Sequence, residues 1–225
     1  MADRVRALME GMVPEFEDLV RRKLCTEHEV KQLIKRREKA EYLLHRREPT
    51  RDDFLRAAEL EMNLERLIKC RRKRLGLPKK GAADNMVQRR VHFIFDRATR
   101  RFKGDEALWL TWIDYSEKAK AFKRLSVVFA RALAMLPRSS KLWIKAAAWE
   151  LEARGNADAA RKLLQRALRL NDHDPELWLA YFRFELVFLT KVRARREVIL
   201  GLPAEEQDDE EEDEEEDDDD DDDDD

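Results

Sequence analysis

Apolar positions fall at helical spacing along most of this chain, and the pattern returns at a fixed interval. Leu108, Trp109, Trp112, Ile113 and Ser116 follow i, i+1, i+4, i+5, i+8 spacing and so share one helix face. Leu125, Val128, Phe129, Ala132, Leu133 and Leu136 make a second stripe of the same kind. Leu108-Trp109, Leu142-Trp143 and Leu177-Trp178 lie 34 and 35 residues apart. Phe95-x-Arg97-Ala98, Phe129-x-Arg131-Ala132 and Leu164-x-Arg166-Ala167 recur with the same two spacings. Two phases with one period mark a repeat protein, in which a helix pair buries its apolar face only by stacking on its neighbours. The small Ala132 and Ala167 let backbones approach, and Trp109, Trp143 and Trp178 are assigned to the core beside them. Trp149 is off the repeated phase, and its exposure is the open question among the tryptophans.

Boundary residues agree with this division. Asp105 is placed to cap one helix, and Asp174 followed by Pro175 reads as an N-cap with proline at the first helical position. Gly155-Asn156 reads as the stop of one helix and the cap of the next. The first 80 residues lack the 34-residue pattern but are also predicted to be helical. Thr26-Glu27-His28-Glu29 is a capping box, and Glu48-Pro49-Thr50 breaks the chain. A long helix then carries Phe54, Ala57, Leu64, Leu67, Ile68 and Leu75 to Gly76, and a linker runs from Gly76 to Gly81. The expected organisation is an N-terminal helical region over 1–80, an all-α α-solenoid over 81–200, and a disordered acidic tail over 201–225.

Charge changes the picture in one respect. The formal net charge of −3 hides 20 acidic side chains in residues 205–225, interrupted only by Gln207. Residues 1–204 then hold 46 basic against 29 acidic side chains, a formal +17, which attracts polyanions, above all nucleic acid. The tail lacks apolar residues to bury and is expected to stay disordered. Cys25 and Cys70 form no pairing pattern, which suits a reducing compartment. No apolar run approaches the roughly 18 residues of a membrane span. The N-terminal stretch lacks a signal-peptide core. A soluble intracellular protein is expected.

The pairing of Leu-Trp-x-x-Trp/Tyr with Phe-x-Arg-Ala-Leu resembles the HAT (half-a-TPR) repeat, a type common in RNA-processing complexes. Its third copy here is Leu177-Trp178-Leu179-Ala180-Tyr181-Phe182-Arg183-Phe184-Glu185. The tetratricopeptide repeat shares the period, but its Gly and Tyr positions are not met. Further likeness lies in Pro14-Glu15-Phe16-Glu17-Asp18-Leu19, Glu29-Val30-Lys31, Glu41-Tyr42 with Arg46-Arg47, Asp53-Phe54 and Glu61-Met62-Asn63-Leu64. With Leu67-Ile68-x-x-Arg71-Arg72-x-Arg74-Leu75-Gly76, these resemble the family of U-three small nucleolar RNA-associated protein six, colinearly over roughly residues 1–190. The resemblance implies a scaffold subunit of the nucleolar small-subunit processome, acting in maturation of ribosomal RNA. It implies β-propeller subunits as partners, with U-three snoRNA or pre-rRNA contact, in the nucleus and nucleolus. Family members continue with more repeats, whereas here Leu200-Gly201-Leu202-Pro203 leads into the acidic tail. An N-terminal part, a short form, a divergent homologue or an incomplete gene model is therefore implied. Two alternatives stand beside this reading: a HAT-repeat scaffold for splicing or 3′-end cleavage, and an acidic-tailed chaperone of basic nuclear proteins.

Lys69, Arg71, Arg72, Lys73, Arg74, Lys79 and Lys80 form the sharpest non-repeat feature, read as a nuclear-import signal or a contact to the RNA backbone. The bland alternative is a solvated helix end that its own dipole favours. Arg21-Arg22-Lys23, Lys35-Arg36-Arg37 and Arg193-Ala194-Arg195-Arg196 are read as ordinary helix surface. His28, His45, His92 and His173 are scattered, none at metal-ligand spacing from a cysteine. Cys70 sits among cations, and Glu150 and Glu185 are single carboxylates rather than an acid–base pair. With no phosphate loop, no enzyme, cofactor, metal or small-molecule substrate is expected.

The acidic tail has three readings: a site for basic proteins, a strap folded onto the basic body, or a solubility device. If it folds back, deleting residues 205–225 raises RNA affinity at low salt, and the gain shrinks as salt shortens the Debye length. An RNA titration of both forms across salt concentrations checks this, and unchanged low-salt affinity removes the strap.

Overall fold

The computed structural model describes residues 2–77, 79 and 81–200, so Lys80 and the expected tail of residues 201–225 lie outside it. Among the described residues there are ten α-helices and no strand. The N-terminal part comprises α1 (Ala2–Glu10), α2 (Val13–Arg21), α3 (Glu27–His45) and α4 (Arg51–Arg74). The repeats follow as α5 (Ala82–Arg101), α6 (Glu106–Lys118), α7 (Phe122–Met135), α8 (Ser140–Glu152), α9 (Ala157–Leu170) and α10 (Pro175–Leu200). From α3 onward each helix packs on the one before it, so the chain is an all-α solenoid as its periodicity predicts.

Local chemistry sets the boundaries. Thr26 and Thr50 each form a complete capping box, with Glu29 and Asp53 respectively. Asp105, Ser139 and Asn156 accept backbone N–H bonds at the starts of α6, α8 and α9. Gly76 and Gly155 take φ of 62° and 65° just past α4 and α8, the left-handed geometry that glycine adopts without a Cβ penalty.

Within the repeats, Ala98, Ala132 and Ala167 are wholly buried, as are Leu108, Leu142 and Leu177. The tryptophan beside each leucine clamps the preceding turn. The indole N–H of Trp109 donates to the Lys103 carbonyl, that of Trp143 to Pro137, and that of Trp178 to Asp172. An arginine of the following helix then covers the ring, Arg131 over Trp109 and Arg166 over Trp143. Trp178 corrects the sequence reading: it keeps its indole bond but is 53% exposed, because no described helix follows α10 to cover it. Trp149, by contrast, is buried against Phe129.

The N-terminal helices are joined around buried charge. Arg37 on α3 is fully buried and grips Glu15 of α2 and Glu61 of α4, each with two N–H···O bonds of 2.6–2.9 Å. Arg90 on α5 bridges Glu61 at 2.8 Å and Glu41 at 3.0 Å, and Arg97 reaches Glu41 at 2.8 Å. Burial alone would lower the Arg37 pKa, but Glu61 and Glu15 outweigh it and hold the guanidinium charged, above its ordinary range. The surface reading of Lys35-Arg36-Arg37 is thus wrong for Arg37, and that of Arg21-Arg22-Lys23 is wrong for Arg22. Arg22 reaches Asp84 at 3.2 Å and the Lys79 carbonyl at 2.8 Å. A Cβ on Gly81 would displace the Arg22 guanidinium and press on the Asp18 carboxylate.

Two measurements test this packing. Arg37→Met leaves Glu15 buried without its partner, and the expected cost is about 3–5 kcal/mol in urea unfolding. Adding Glu15→Gln should recover part of that loss. His92 is buried, and its Nδ1 accepts the Trp112 indole N–H at 2.9 Å. Burial, helped by Arg124, pulls its pKa from 6.5 down to about 4. Between those values only the unfolded chain holds the extra proton, so stability rises with pH there and is lost as pH falls from 6.5 toward 4. From pH 7 to pH 5 the loss should be about 2 kcal/mol, and His92→Gln should flatten it in urea midpoints taken across that range.

Candidate interaction surfaces

The basic cluster read from the sequence divides once its side chains are placed. Arg71 donates to the Leu24 carbonyl at 2.8 Å and to both Glu29 oxygens at 2.8 and 2.6 Å. That contact, with the Thr26 backbone N–H, pulls the Glu29 carboxyl down to about 2. Arg72 donates to Asp84 at 2.8 Å and so ties α4 to the start of α5. Lys69, Lys73, Arg74 and Lys79 are exposed, and Lys80 lies outside the described residues. The last turn of α4 holds Arg71, Arg72, Lys73 and Arg74, where the helix dipole favours cations. Two of the seven predicted cations therefore serve the fold, and four remain available to a polyanion.

A second surface is apolar. α10 leaves Trp178, Leu179, Phe182, Leu186 and Leu189 exposed, while Leu177 and Phe184 on its other side are buried. Arg161 of α9 holds Glu185 at 2.8 and 2.7 Å and lies over Phe188, so the inner face of α10 is fixed by the preceding helix. Of the repeat residues singled out, Trp109, Ala132, Trp143 and Ala167 are core, Pro175 starts α10, and Trp178 joins this exposed face. Such a row of apolar side chains on one helix is the kind of surface that protein partners cover.

Metal ligands, thiols and acid–base pairs are the remaining chemical candidates among the described side chains. These side chains hold no cluster of three or more His, Cys, Asp or Glu able to bind a metal ion. No described helix is long and apolar enough to cross a membrane. Cys70 is exposed and Cys25 buried, where burial pushes the thiol pKa up. A groove between α4 and α6 is lined by Glu65, Arg66, Lys69, Asp114 and Tyr115. Its most acid–base-like pair is already engaged, with the Tyr115 hydroxyl donating to Glu65 at 2.7 Å. Burial first and Glu65 second push that phenol far above its usual range.

Sequence reasoning passed over two features. Glu15, Glu41, Glu61, Arg37 and Arg90 carry no periodic signal that separates them from surface charge, although three of them fall in the segments that carry the family likeness. The arginine cover over each tryptophan was visible, because Arg131 and Arg166 recur with the same period as the tryptophans they cover.

Comparison with known proteins divides the chain near α5. Residues 9–93 match the family described as U3 small nucleolar RNA-associated protein 6. Residues 91–200 match the N-terminal HAT repeat of the pre-mRNA-splicing factors Syf1/CNRKL1. The U3 small nucleolar RNA-associated protein 6 of Schizosaccharomyces pombe is 41% identical over 89% of this chain and 41% of its own length. The homologue of that protein in Homo sapiens is 38% identical over 88% of this chain and 33% of its own. That of Dictyostelium discoideum is 31% identical over 84% of this chain and 31% of its own. The chain thus spans 41% and 33% of the length of the first two of these relatives.

Proposed function

The chain belongs to the U3 small nucleolar RNA-associated protein 6 family, and from that membership we propose that it is a scaffold subunit of the nucleolar small-subunit processome. It acts in ribosome biogenesis, in the maturation of small-subunit ribosomal RNA, through protein contacts and contact with U3 snoRNA or pre-rRNA. The mechanism is presentation rather than catalysis. A rigid stack of helix pairs offers long surfaces whose relative positions are set by packing.

The observation that carries the scaffold reading is the regular stack of helix pairs, in which each tryptophan clamps the turn before its own helix. Trp109 and Trp143 are each covered by an arginine of the following helix, and Trp178, in register with them, presents the same seam beside Leu179 and Phe182 to whatever follows α10. An apolar face of that kind is stable in water only at a cost and gains from being covered, by a further helix pair or by a partner. β-propeller subunits are the partners expected from the family. Lys69, Lys73, Arg74 and Lys79 supply charge for import or for sequence-independent RNA contact, with Arg71 and Arg72 behind them as braces. The division into an N-terminal region up to residue 80 and a repeat region beyond it is part of the same proposal. So are a location in the nucleus and nucleolus and a tail that engages basic proteins.

A second reading has one specific observation in its favour, the match of residues 91–200 to a splicing-factor repeat. That match reflects the repeat type, whereas the likeness to the first family extends through the non-repeat helices. Affinity purification of the tagged protein from cells separates the two. Recovery of U3 RNA and propeller-type processome subunits is the expected result, with Trp178→Ala/Phe182→Ala reducing the protein partners. Recovery of splicing factors with no U3 RNA would replace the first reading by the second.

A further inference from the structure

The turn between α6 and α7 departs from the pattern that the equivalent turn between α8 and α9 keeps. Gly155 takes the left-handed position after α8, and Asn156 caps α9 through a bond from the Ala159 N–H at 3.0 Å. In the preceding repeat, 35 residues earlier, Lys120 takes the same left-handed position, with φ of 54°, and Ala121 stands at the cap with no side-chain acceptor. A lysine there bears a strain that glycine avoids. α7 also has no acidic residue in its first turn. The backbone N–H groups of Phe122, Lys123 and Arg124 find no acceptor among the described residues.

These amides sit at the edge of an open cleft. Arg89 and His92 of α5 face Lys120, Phe122, Lys123 and Arg124 across it, and no carboxylate lines it. The four cations have no ion-pair partner among the described residues, whereas Arg100, Arg131 and Lys145, elsewhere on α5, α7 and α8, are each engaged by a carboxylate. His92 adds a built-in donor. It is more than nine-tenths buried, and its Nδ1 accepts from Trp112, an indole that can only donate. The ring proton therefore sits on Nε2, which has no partner among the described residues. Beside these groups Phe122 is 49% exposed.

We propose that this cleft binds a backbone phosphate of single-stranded RNA, with an adjacent base stacked on Phe122. The α7 amides and the His92 Nε2–H donate to phosphate oxygens, an arrangement suited to a helix N-terminus. Arg89, Lys120, Lys123 and Arg124 neutralise that phosphate and its neighbours. The aromatic ring decides for RNA over an acidic peptide, since a ring beside a cationic track is a stacking platform for a base. The choice of RNA, though not of an anion, rests on the function proposed above.

The test uses the full-length protein and a fluorescent 12-nucleotide oligouridylate, with affinity read by anisotropy across salt concentrations. Lys123→Gln/Arg124→Gln should weaken binding and reduce the magnitude of the log–log salt slope by roughly 1.4, about 0.7 for each single-strand phosphate that is no longer neutralised. Phe122→Ala should weaken binding by about fivefold or more while leaving the slope alone. Lys120→Gly should raise the melting temperature by relieving backbone strain and still weaken RNA binding, which separates the site from the fold. Lys35→Gln/Arg36→Gln, exposed on α3 and outside both basic surfaces, should leave oligouridylate affinity near that of the parent. The proposal is overturned if folded cleft variants bind RNA like the parent, or if Lys35→Gln/Arg36→Gln weakens binding as much as they do. It is also overturned if an oligo-aspartate peptide binds as tightly as the RNA and Phe122→Ala changes neither. Loss of oligouridylate binding without U3 RNA in the purified assembly would refute the function and uphold the cleft; the reverse pair of results would refute the cleft alone.

Discussion

Three glutamates and three arginines meet where α2, α3, α4 and α5 converge, and the placement of everything downstream depends on their pairing. Glu15, Glu61 and Glu41 face Arg37, Arg90 and Arg97, so the set is formally neutral. For buried pairs of this kind, attraction and desolvation largely offset one another. The consequence lies in the alternatives. A helix that slides by one turn leaves a carboxylate or guanidinium buried and alone, at several kcal/mol. The apolar neighbours Phe16, Leu19, Val87 and Ile68 would tolerate such a slip far better, since dispersion is not directional. Charge therefore fixes the register, and apolar burial supplies the stability.

α5 carries that register into the repeats. Arg90 and Arg97 point to the N-terminal helices, and Val91, Ile94, Phe95 and Ala98 enter the core built with α6 and α7. From there each repeat positions the next by the same device. An indole ties down the turn before its own helix, and an arginine one helix later lies across the ring. Arg131 also pairs with Asp96 and so links α7 back to α5. The stack is thus built of directional contacts laid over an apolar seam. Its last tryptophan shows what the seam looks like before it is covered.

How much of this the sequence disclosed follows from how each force writes itself into residue order. Apolar burial on a helix recurs every three to four residues, so the repeat helices and the solenoid were readable from the recurrence of Leu108-Trp109 and Phe129-x-Arg131-Ala132, and the caps from Thr26, Asp105 and Asn156. Buried charge leaves no such trace. Arg37 lies in a run of cations that resembles a solvated face, and only its partners 22 and 24 residues away reveal that it is core. Trp178 misled for a different reason: its phase was right, but phase reports which side of a helix faces a neighbour, not whether a described neighbour exists. Within the basic cluster read at the end of α4, Arg71 and Arg72 are consumed by Glu29 and Asp84. A count of cations cannot separate braces from contacts.

In a repeat protein the departures from the repeat are the positions most worth reading. Where two turns do the same structural work, the residues that differ are free of that work's demands, and any residue that does it worse needs another reason to be there. Gly155 and Asn156 meet the demands of a helix stop and a helix start. Lys120 and Ala121 meet neither, with strain in one and a missing cap in the other, and the turn still holds its shape. The basic excess of residues 1–204 says only that some cations are not balanced by carboxylates. The failed cap says where uncompensated backbone donors and unpaired cations coincide. Overall charge would draw a polyanion to any side of this molecule, but only that coincidence gives a phosphate oriented donors to meet.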